Sequence, residues 1–512
     1  MSESRVVMRP VSIIVPVYNA FDVTVDCLRS VSIHSPPSVR VVVIDDASPS
    51  GELVSVVPDE IKNDSRFVFI RNDRNLGFVG SCNRGMLFES DGDIILLNSD
   101  TVVTPRWVQK LIKAAYSRPR VGTVTPLTNN GTIASVPRFL ENNELPSGMK
   151  LNQFAEVIEK VSAREYVSVP TCVGFCTYVR RSMLDAVGVF DPVFKRGYGE
   201  ENDLSLRAAQ SGFDNIIDDA TYVYHRGSMS FKEMKEALSQ ENLKILNQRY
   251  PGYDAQIAAF CGANPLTRVH DRIWNHLQKE FVRTKERAVL HVLSNGPFFE
   301  RGAALGDIEL HVQSIIRSDR RSAHFSLVTG PTCFYLTAHL DCGDRTIILP
   351  DVFELSLILK GTLFDIAHIH DIGAFHVPRL VDAIQCHGRY LMSVHTEDVF
   401  RQDVMIEGGV KALVRGASRI VAYSGVAQEA VAQAGGEPSR IEVCSLENYP
   451  LIEGEGENAW ISGLYESVRQ VPKARADALA GVLQPDLVNN IRGQLGRFRS
   501  MIRRTLVRLE TA

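Results

Sequence analysis

The stretch Asp93-Ile94-Ile95-Leu96-Leu97-Asn98-Ser99-Asp100-Thr101 decides how the first half of the chain is read. Four consecutive apolar residues predict a short strand buried on both faces. Asn98, Ser99 and Asp100 are small polar residues suited to a tight turn, so the strand stops there. A buried parallel strand that stops in this way pushes one carboxylate, Asp100, out of its C-terminal edge. That edge is where open α/β sheets bind ligands. A carboxylate held on a rigid strand can grip a hard divalent ion through oxygen, and the ion can grip a diphosphate. Taken alone, the stretch reads better as an ordinary strand exit with a solvated Asp.

The flanking sequence repeats the pattern. Ser12-Ile13-Ile14-Val15-Pro16-Val17-Tyr18-Asn19 predicts a first strand over 11–17, ended by Pro16. Residues 23–34 have helical spacing. A second strand over 39–44 leaves at Asp45-Asp46-Ala47-Ser48, again placing carboxylates at a strand's C-terminal edge. A third strand is expected over 66–70, followed by a loop and helix carrying Asn75, Gly77, Asn83 and Gly85. This β-α-β alternation predicts a parallel, doubly wound sheet with crossover helices. Further on, 107–116 reads as an amphipathic helix and 121–125 as a strand. Residues 127–165 read as a polar, mobile loop over a site. Residues 167–180 read as a strand, 183–187 and 201–211 as helices, 216–225 as a loop and strand, and 231–250 as a helix.

Composition excludes several classes. Lys+Arg 56 against Asp+Glu 60 gives a net charge of −4, which argues against a nucleic-acid-binding surface, so no nucleic-acid partner is expected. Charged residues at 23% and hydrophobic residues at 45% are ordinary for a soluble globular protein. Nine scattered cysteines lack framework spacing and suit reduced, cytosolic thiols. There is no secretory signal at the N-terminus and no apolar run long enough to span a bilayer. The expected location is cytoplasmic.

With Gly199-Glu200-Glu201-Asn202-Asp203-Leu204 and His225-Arg226-Gly227-Ser228 downstream, the motif order over the first half resembles the inverting glycosyltransferases of family 2, with the GT-A fold. The resemblance implies a metal-dependent transferase moving a sugar from a nucleotide diphosphate donor, a dTDP- or UDP-sugar, to a glycan or lipid-linked acceptor. Rhamnose- or galactose/hexose-type sugars and bacterial surface polysaccharide synthesis are implied in the same way. Asp100 and His225 would hold Mn²⁺ or Mg²⁺, with the imidazole favouring Mn²⁺. Only one carboxylate stands where other members carry Asp-x-Asp. Glu201 aligns with the general base and Glu200 is the second candidate, although two carboxylates at a helix start also complement the helix dipole. Asp203 reads as structural, with Arg207 one turn on as its partner. Pro16, Tyr18, Asn19, Asp45, Asp46 and Ser99 would bind the donor, as would Asn75, Gly77, Asn83 and Gly85, whose small residues would let the backbone approach the nucleotide.

A first domain is expected over 1–285, then a second α/β domain over 286–450, with strands at 289–293, 325–328, 346–349, 366–370, 390–394, 419–423 and 441–445. It resembles the N-terminal, Rossmann-like half of GT-B (family 4) glycosyltransferases, through its Gly-bearing first loop, His368-Ile369-His370, Val394-His395 and Ser418-Arg419-Ile420-Val421-Ala422-Tyr423-Ser424. Only 64 residues follow Asn448, too few for a second Rossmann half, so catalysis is not expected there. His368, His370, Asp371 and His376 invite a metal reading, which the resemblance opposes. The tail, 451–512, carries a basic amphipathic helix from Leu487 suited to the inner face of a membrane. The rival to an enzyme is a non-catalytic glycosyltransferase-like scaffold.

Overall fold

The computed structural model describes residues 9–227 (except 50, 147 and 196), 232–293, 307–329, 333–340, 343–349, 364–370, 384, 390–394, 409–423, 425–443, 465, 466 and 468. The chain divides into two compact units, Met1–Leu277 and Gln278–Ala512.

In the first unit, β1 (Val11–Val17), β2 (Arg40–Asp45), β3 (Phe67–Arg71) and β4 (Asp93–Leu97) run parallel in the order β3-β2-β1-β4. Successive side chains on a strand point to opposite faces, and every residue of β1 and β4 is buried on both. On one face Ile14, Val42, Ile44, Ile94 and Leu96 pack with Val79, Cys82 and Met86 of the Gly77–Phe88 helix. Removing a side chain such as Ile14 to Ala would cost about 2–5 kcal/mol. Pro16 does not end β1. It lies inside the strand, opposite Ile44, and beyond the last β1–β4 pair, Ile14↔Leu96, so its missing N–H breaks no ladder on that side.

The sheet then changes character. The strands β5 (Thr101–Val102), β6 (Val121–Leu127), β7 (Ser168–Val169), β8 (Cys176–Val179), β9 (Asp214–Tyr222) and β10 (Tyr224–His225) follow. β8 lies antiparallel between β4 and β6, and β9 follows beyond β6 with β7 antiparallel at the edge, while β5 and β10 form a separate two-stranded ribbon. The single strand expected over 167–180 is therefore two strands separated by a turn. Residues 127–165 are not a mobile polar loop: they contain the Leu151–Val161 helix and bury Ile133, Val136, Phe154 and Ile158. Helices Lys232–Arg249, Tyr253–Ala263 and Thr267–Thr284 close the unit's sequence.

Among the described residues, the second unit forms an eight-stranded sheet of β11 (Arg287–Leu293), β12 (Ser322–Thr329), β13 (Phe334–Leu340), β14 (Gly343–Leu349), β15 (Ile366–Ile369), β16 (Tyr390–Val394), β17 (Arg419–Ala422) and β18 (Ile441–Val443), in the order β14-β13-β12-β11-β15-β16-β17-β18. The six from β12 to β18 are parallel, as expected of a Rossmann-like sheet. β13 and β14 add an antiparallel edge. The sequence reading passed over β13, whose Thr337 and His339 interrupt an apolar strand signal. The first loop's Gly296, Gly302 and Gly306, residues Asp371, His376 and His395, and the basic tail from Leu487 lie outside the described residues. Among the described residues, no helix is long and apolar enough to cross a membrane.

Candidate active site

The exits of β1, β2 and β4 converge because the strands are parallel and in register, with Val17 opposite Asp45. Tyr18 is about half exposed at the β1 exit. Asn19 follows with φ 56°, a left-handed turn that Asn tolerates. Its backbone N–H donates to Ser48 Oγ at 2.9 Å, which ties the first exit to the second. Asp45 is buried; its Oδ1 accepts the Ser48 N–H at 3.0 Å and its Oδ2 pairs with Arg71.

Asp46 is committed to the protein. Its Oδ1 accepts from Asn72 Nδ2 and from the Leu76 N–H, both at 2.7 Å, and its Oδ2 accepts the Gly77 N–H at 2.9 Å. A buried carboxylate thus caps the Gly77–Phe88 helix, where the helix dipole favours negative charge. Asn75 supports the same turn through a 3.2 Å bond from the Gly77 N–H to its Oδ1, and Gly77 adopts φ 74°. The expected 75–85 loop ends here. Asn83 lies in the helix and holds the backbone of Phe190, donating to its carbonyl at 2.8 Å and accepting its N–H at 3.0 Å. Gly85 faces the sheet: a Cβ there would lie 2.5 Å from Ile14 Cγ2. Both residues lie in the helix, which starts at residue 77, and not in a loop, and both pack it against neighbouring elements.

Asp100 leaves the β4 turn beside the partly exposed Ser99. The β5–β10 ribbon pairs Thr101 with His225, and the Arg226 N–H donates to the Asp100 carbonyl at 3.0 Å. This register brings His225 Nε2 to 3.4 Å from Asp100 Oδ1. His225 Nδ1 lies 2.7 Å from the Asn130 carbonyl, which can only accept, so Nδ1 carries a proton and Nε2 is the nitrogen directed at Asp100. A neutral ring protonated at Nδ1 is the form a metal ligand at Nε2 requires, with the second nitrogen oriented by a backbone oxygen. The residues fit a divalent ion. Asn129, which the sequence reading missed, clamps His225 at both backbone atoms, at 2.8 and 3.0 Å. An isolated Asn carries no sequence signal for such a role.

Glu200 and Glu201 open the Glu200–Gln210 helix after Gly199, whose φ of 138° admits few other residues. Glu200 is buried, and its Oε2 has no hydrogen-bond partner. Glu201 is partly exposed, and its Oε2 accepts the Gly199 N–H at 3.2 Å. Burial pushes Glu200 well above the ordinary carboxylate range, and the charge of Glu201 adds to the shift. Burial also raises Glu201, while backbone N–H groups and a bond from Glu200 hold it back. The two carboxyls therefore titrate as a pair that holds a proton above the ordinary carboxylate range. The loop before β8 links both clusters: Phe175 stacks on His225 at 5.3 Å between ring centroids, and the adjacent Gly174 lies against the Glu201 carboxyl. The charges of Glu200, Asp100 and Glu201 all reach Tyr198.

Asp203 is fully buried and structural. It pairs with Arg207 at 2.8 Å and Arg249 at 3.1 Å, and accepts from Tyr250 at 2.8 Å. The Asp203–Arg207 pair is the expected one-turn contact.

The first unit has a GT-A-like glycosyltransferase fold: parallel strand exits leading to a carboxylate–imidazole pair, with paired carboxylates on a following helix. The chain belongs to glycosyl transferase family 2, whose description matches residues 12–188. It is 30% identical over 125 residues to an N-acetylglucosaminyltransferase of Bradyrhizobium elkanii, covering 24% of this chain and 68% of that protein. It is 26% identical over 213 residues to an N-acetylglucosaminyltransferase of Azorhizobium caulinodans, covering 40% of this chain and 51% of that protein. Among solved structures, GalNAc-T7 with UDP, GalNAc and Mn²⁺ is similar at a TM-score of 0.38 and 16% identity, over 52% of this chain and 54% of that one. The chain spans about half the length of the first curated relatives it matches. The family match ends before the second unit, so the family 4-like reading of that unit gains no support from it.

Proposed function

We propose that the first unit transfers a sugar, with inversion, from a nucleotide diphosphate donor to a hydroxyl of a glycan or lipid-linked acceptor. The observation that carries this reading is the orientation of His225, which turns Nε2 toward Asp100 beside a glutamate pair. Asp100 and His225 would hold the divalent ion, with the imidazole favouring Mn²⁺ over Mg²⁺. The ion supplies Lewis-acid neutralisation of the leaving diphosphate.

The remaining work falls to the chain. Tyr18, Asn19 and Asp45 stand at adjoining strand exits, with Pro16 just inside the end of β1, and receive the nucleotide. Asp46, Asn75 and Gly77 fix the turn beside it. Glu201, the more exposed of its pair, accepts the acceptor hydroxyl proton. The acceptor oxygen forms its bond to the anomeric carbon as the bond to the diphosphate oxygen breaks, and the electron pair leaves with the diphosphate. The raised titration of the Glu200–Glu201 pair keeps the two carboxyls from both carrying charge.

The printed names of the relatives make UDP-N-acetylglucosamine the first donor to try, ahead of rhamnose- or galactose-type donors. A thermal-shift panel of UDP-, dTDP- and GDP-sugars with Mn²⁺ tests the reading. Stabilisation by a UDP- or dTDP-sugar that chelation abolishes is expected. A protein indifferent to all three donor classes would favour the scaffold instead.

A further inference from the structure

The second unit buries a group of imidazoles that its fold does not require. His291 of β11 and His368 of β15 are register partners on adjacent parallel strands. His370 follows two residues after His368, and so lies on the same face. His324 of β12 is level with Val289, two residues before His291, and shares that face. All four are at most 2% exposed. Apolar side chains would fill a sheet core at lower desolvation cost than imidazoles.

The hydrogen bonds fix the tautomers in sequence. His324 Nε2 lies 3.0 Å from the Asp319 carbonyl, which only accepts, so Nε2 carries the proton. His324 Nδ1 then accepts from His291 Nε2 at 2.9 Å. His291 Nδ1 is left as a lone pair, 2.9 Å from His370 Nε2. His368 has oxygen neighbours at both nitrogens, Tyr465 Oη at 3.0 Å and Ser393 Oγ at 2.7 Å. One ligand atom each from His291, His368 and His370 can be chosen so that all lie within 4.8 Å of one another.

We propose that His291, His368 and His370 form a transition-metal site of the Zn²⁺ class in the second unit, separate from the site of the first. Tetrahedral Zn²⁺ with nitrogen at about 2.0–2.1 Å sets its ligand atoms about 3.3 Å apart. The His291–His370 pair needs to open by only a few tenths of an ångström to reach that spacing. For His370 Nε2 to ligate, the proton it shares with His291 would move to His370 Nδ1, so that the ring stays neutral. The supporting shell is already present. His324, itself held by Asp319, orients His291, and Tyr465 or Ser393 orients His368 through whichever nitrogen does not ligate. Three neutral imidazoles with no carboxylate among them select Zn²⁺, Co²⁺, Ni²⁺ or Cu²⁺ over Mg²⁺ and Ca²⁺. Asp371 and His376, considered with this strand from the sequence, are not needed. His291, distant in sequence, completes the set.

The test uses the full chain carrying Asp100→Ala, which removes the first unit's site, stripped of metal and titrated with Co²⁺. The expected result is one equivalent of Co²⁺ with the intense visible absorption of a tetrahedral, nitrogen-ligated ion, displaced by Zn²⁺. His291→Ala and His368→Asn should each weaken uptake at least about tenfold. Failure of the folded Asp100→Ala chain to bind Co²⁺, a weak six-coordinate spectrum, or a spectrum unchanged in both histidine variants overturns the proposal. Should a histidine variant not fold, the Asp100→Ala titration alone decides, because the tetrahedral spectrum is required there in any case.

Discussion

His225 Nε2 faces Asp100 Oδ1 at 3.4 Å, and the ring is held in that orientation by the Asn130 carbonyl at 2.7 Å. The pairing depends on the β5–β10 ribbon, which sets His225 opposite Thr101. Asp100→Ala should therefore leave the fold intact, because the residue sits at a strand exit, and should abolish the Mn²⁺-dependent part of UDP stabilisation. Differential scanning fluorimetry of wild type and variant, with and without Mn²⁺, checks this.

The Asn129 side chain holds both backbone atoms of His225, its Oδ1 also accepting from Thr128 Oγ1 at 3.2 Å. Asn129→Ala should raise the Mn²⁺ concentration for half-maximal activity while leaving the rate at saturating Mn²⁺ within a few-fold of wild type. A merely structural role would lower both stability and maximal rate at every Mn²⁺ concentration.

The glutamate pair sets a pH dependence. Burial, followed by the charge of Glu201, raises Glu200, and burial raises Glu201. A raised carboxylate binds protons in the folded state that the unfolded chain has released. Its stabilising contribution is present below the unfolded value of about 4.3 and is lost as pH rises through the folded value. Glu200→Gln should thus raise Tm relative to wild type near about pH 8, and do so little near about pH 4. Transfer, which needs Glu201 ionised, should fall as pH drops through the raised value of Glu201.

Gly85→Ala separates packing from ligand approach. A Cβ at 85 would lie 2.5 Å from Ile14 Cγ2 and 3.0 Å from Ile44 Cδ1. Overpacking of this kind costs about 1–3 kcal/mol. The variant should melt earlier and bind UDP with wild-type affinity. A selective loss of UDP affinity without loss of stability would return Gly85 to the nucleotide site.

The sheet of the first unit was legible because its strands announce themselves. β1, β2 and β4 are short apolar runs ending in Asn, Asp and Ser, and their exits carry the polar residues of the site. The Asp203–Arg207 contact was readable from helical spacing. Other features depend on partners remote in sequence. Asp46 looked like a ligand contact because nothing local shows that it caps the helix at Gly77. Asn83 looked alike for the same reason, its partner being the Phe190 backbone. The buried character of 127–165 was hidden by Asn and Pro residues around apolar positions such as Ile133 and Phe154. In the second unit His368 and His370 invited a metal reading that the family resemblance opposed, and His291, remote in sequence, joins them only through the β11–β15 register.

Transfer by the first unit, with Glu201 as base and Asp100 as metal ligand, is open to direct measurement. Its most direct test is release of UDP from UDP-N-acetylglucosamine, and from other UDP- and dTDP-sugars, with Mn²⁺ and candidate glycan or lipid-linked acceptors, comparing wild type, Asp100→Ala and Glu201→Gln. The account predicts release by wild type that EDTA abolishes, none by Asp100→Ala, and a rate reduced about 10²–10⁴-fold in Glu201→Gln with donor binding retained. Wild-type turnover by either variant, at saturating donor, would contradict it.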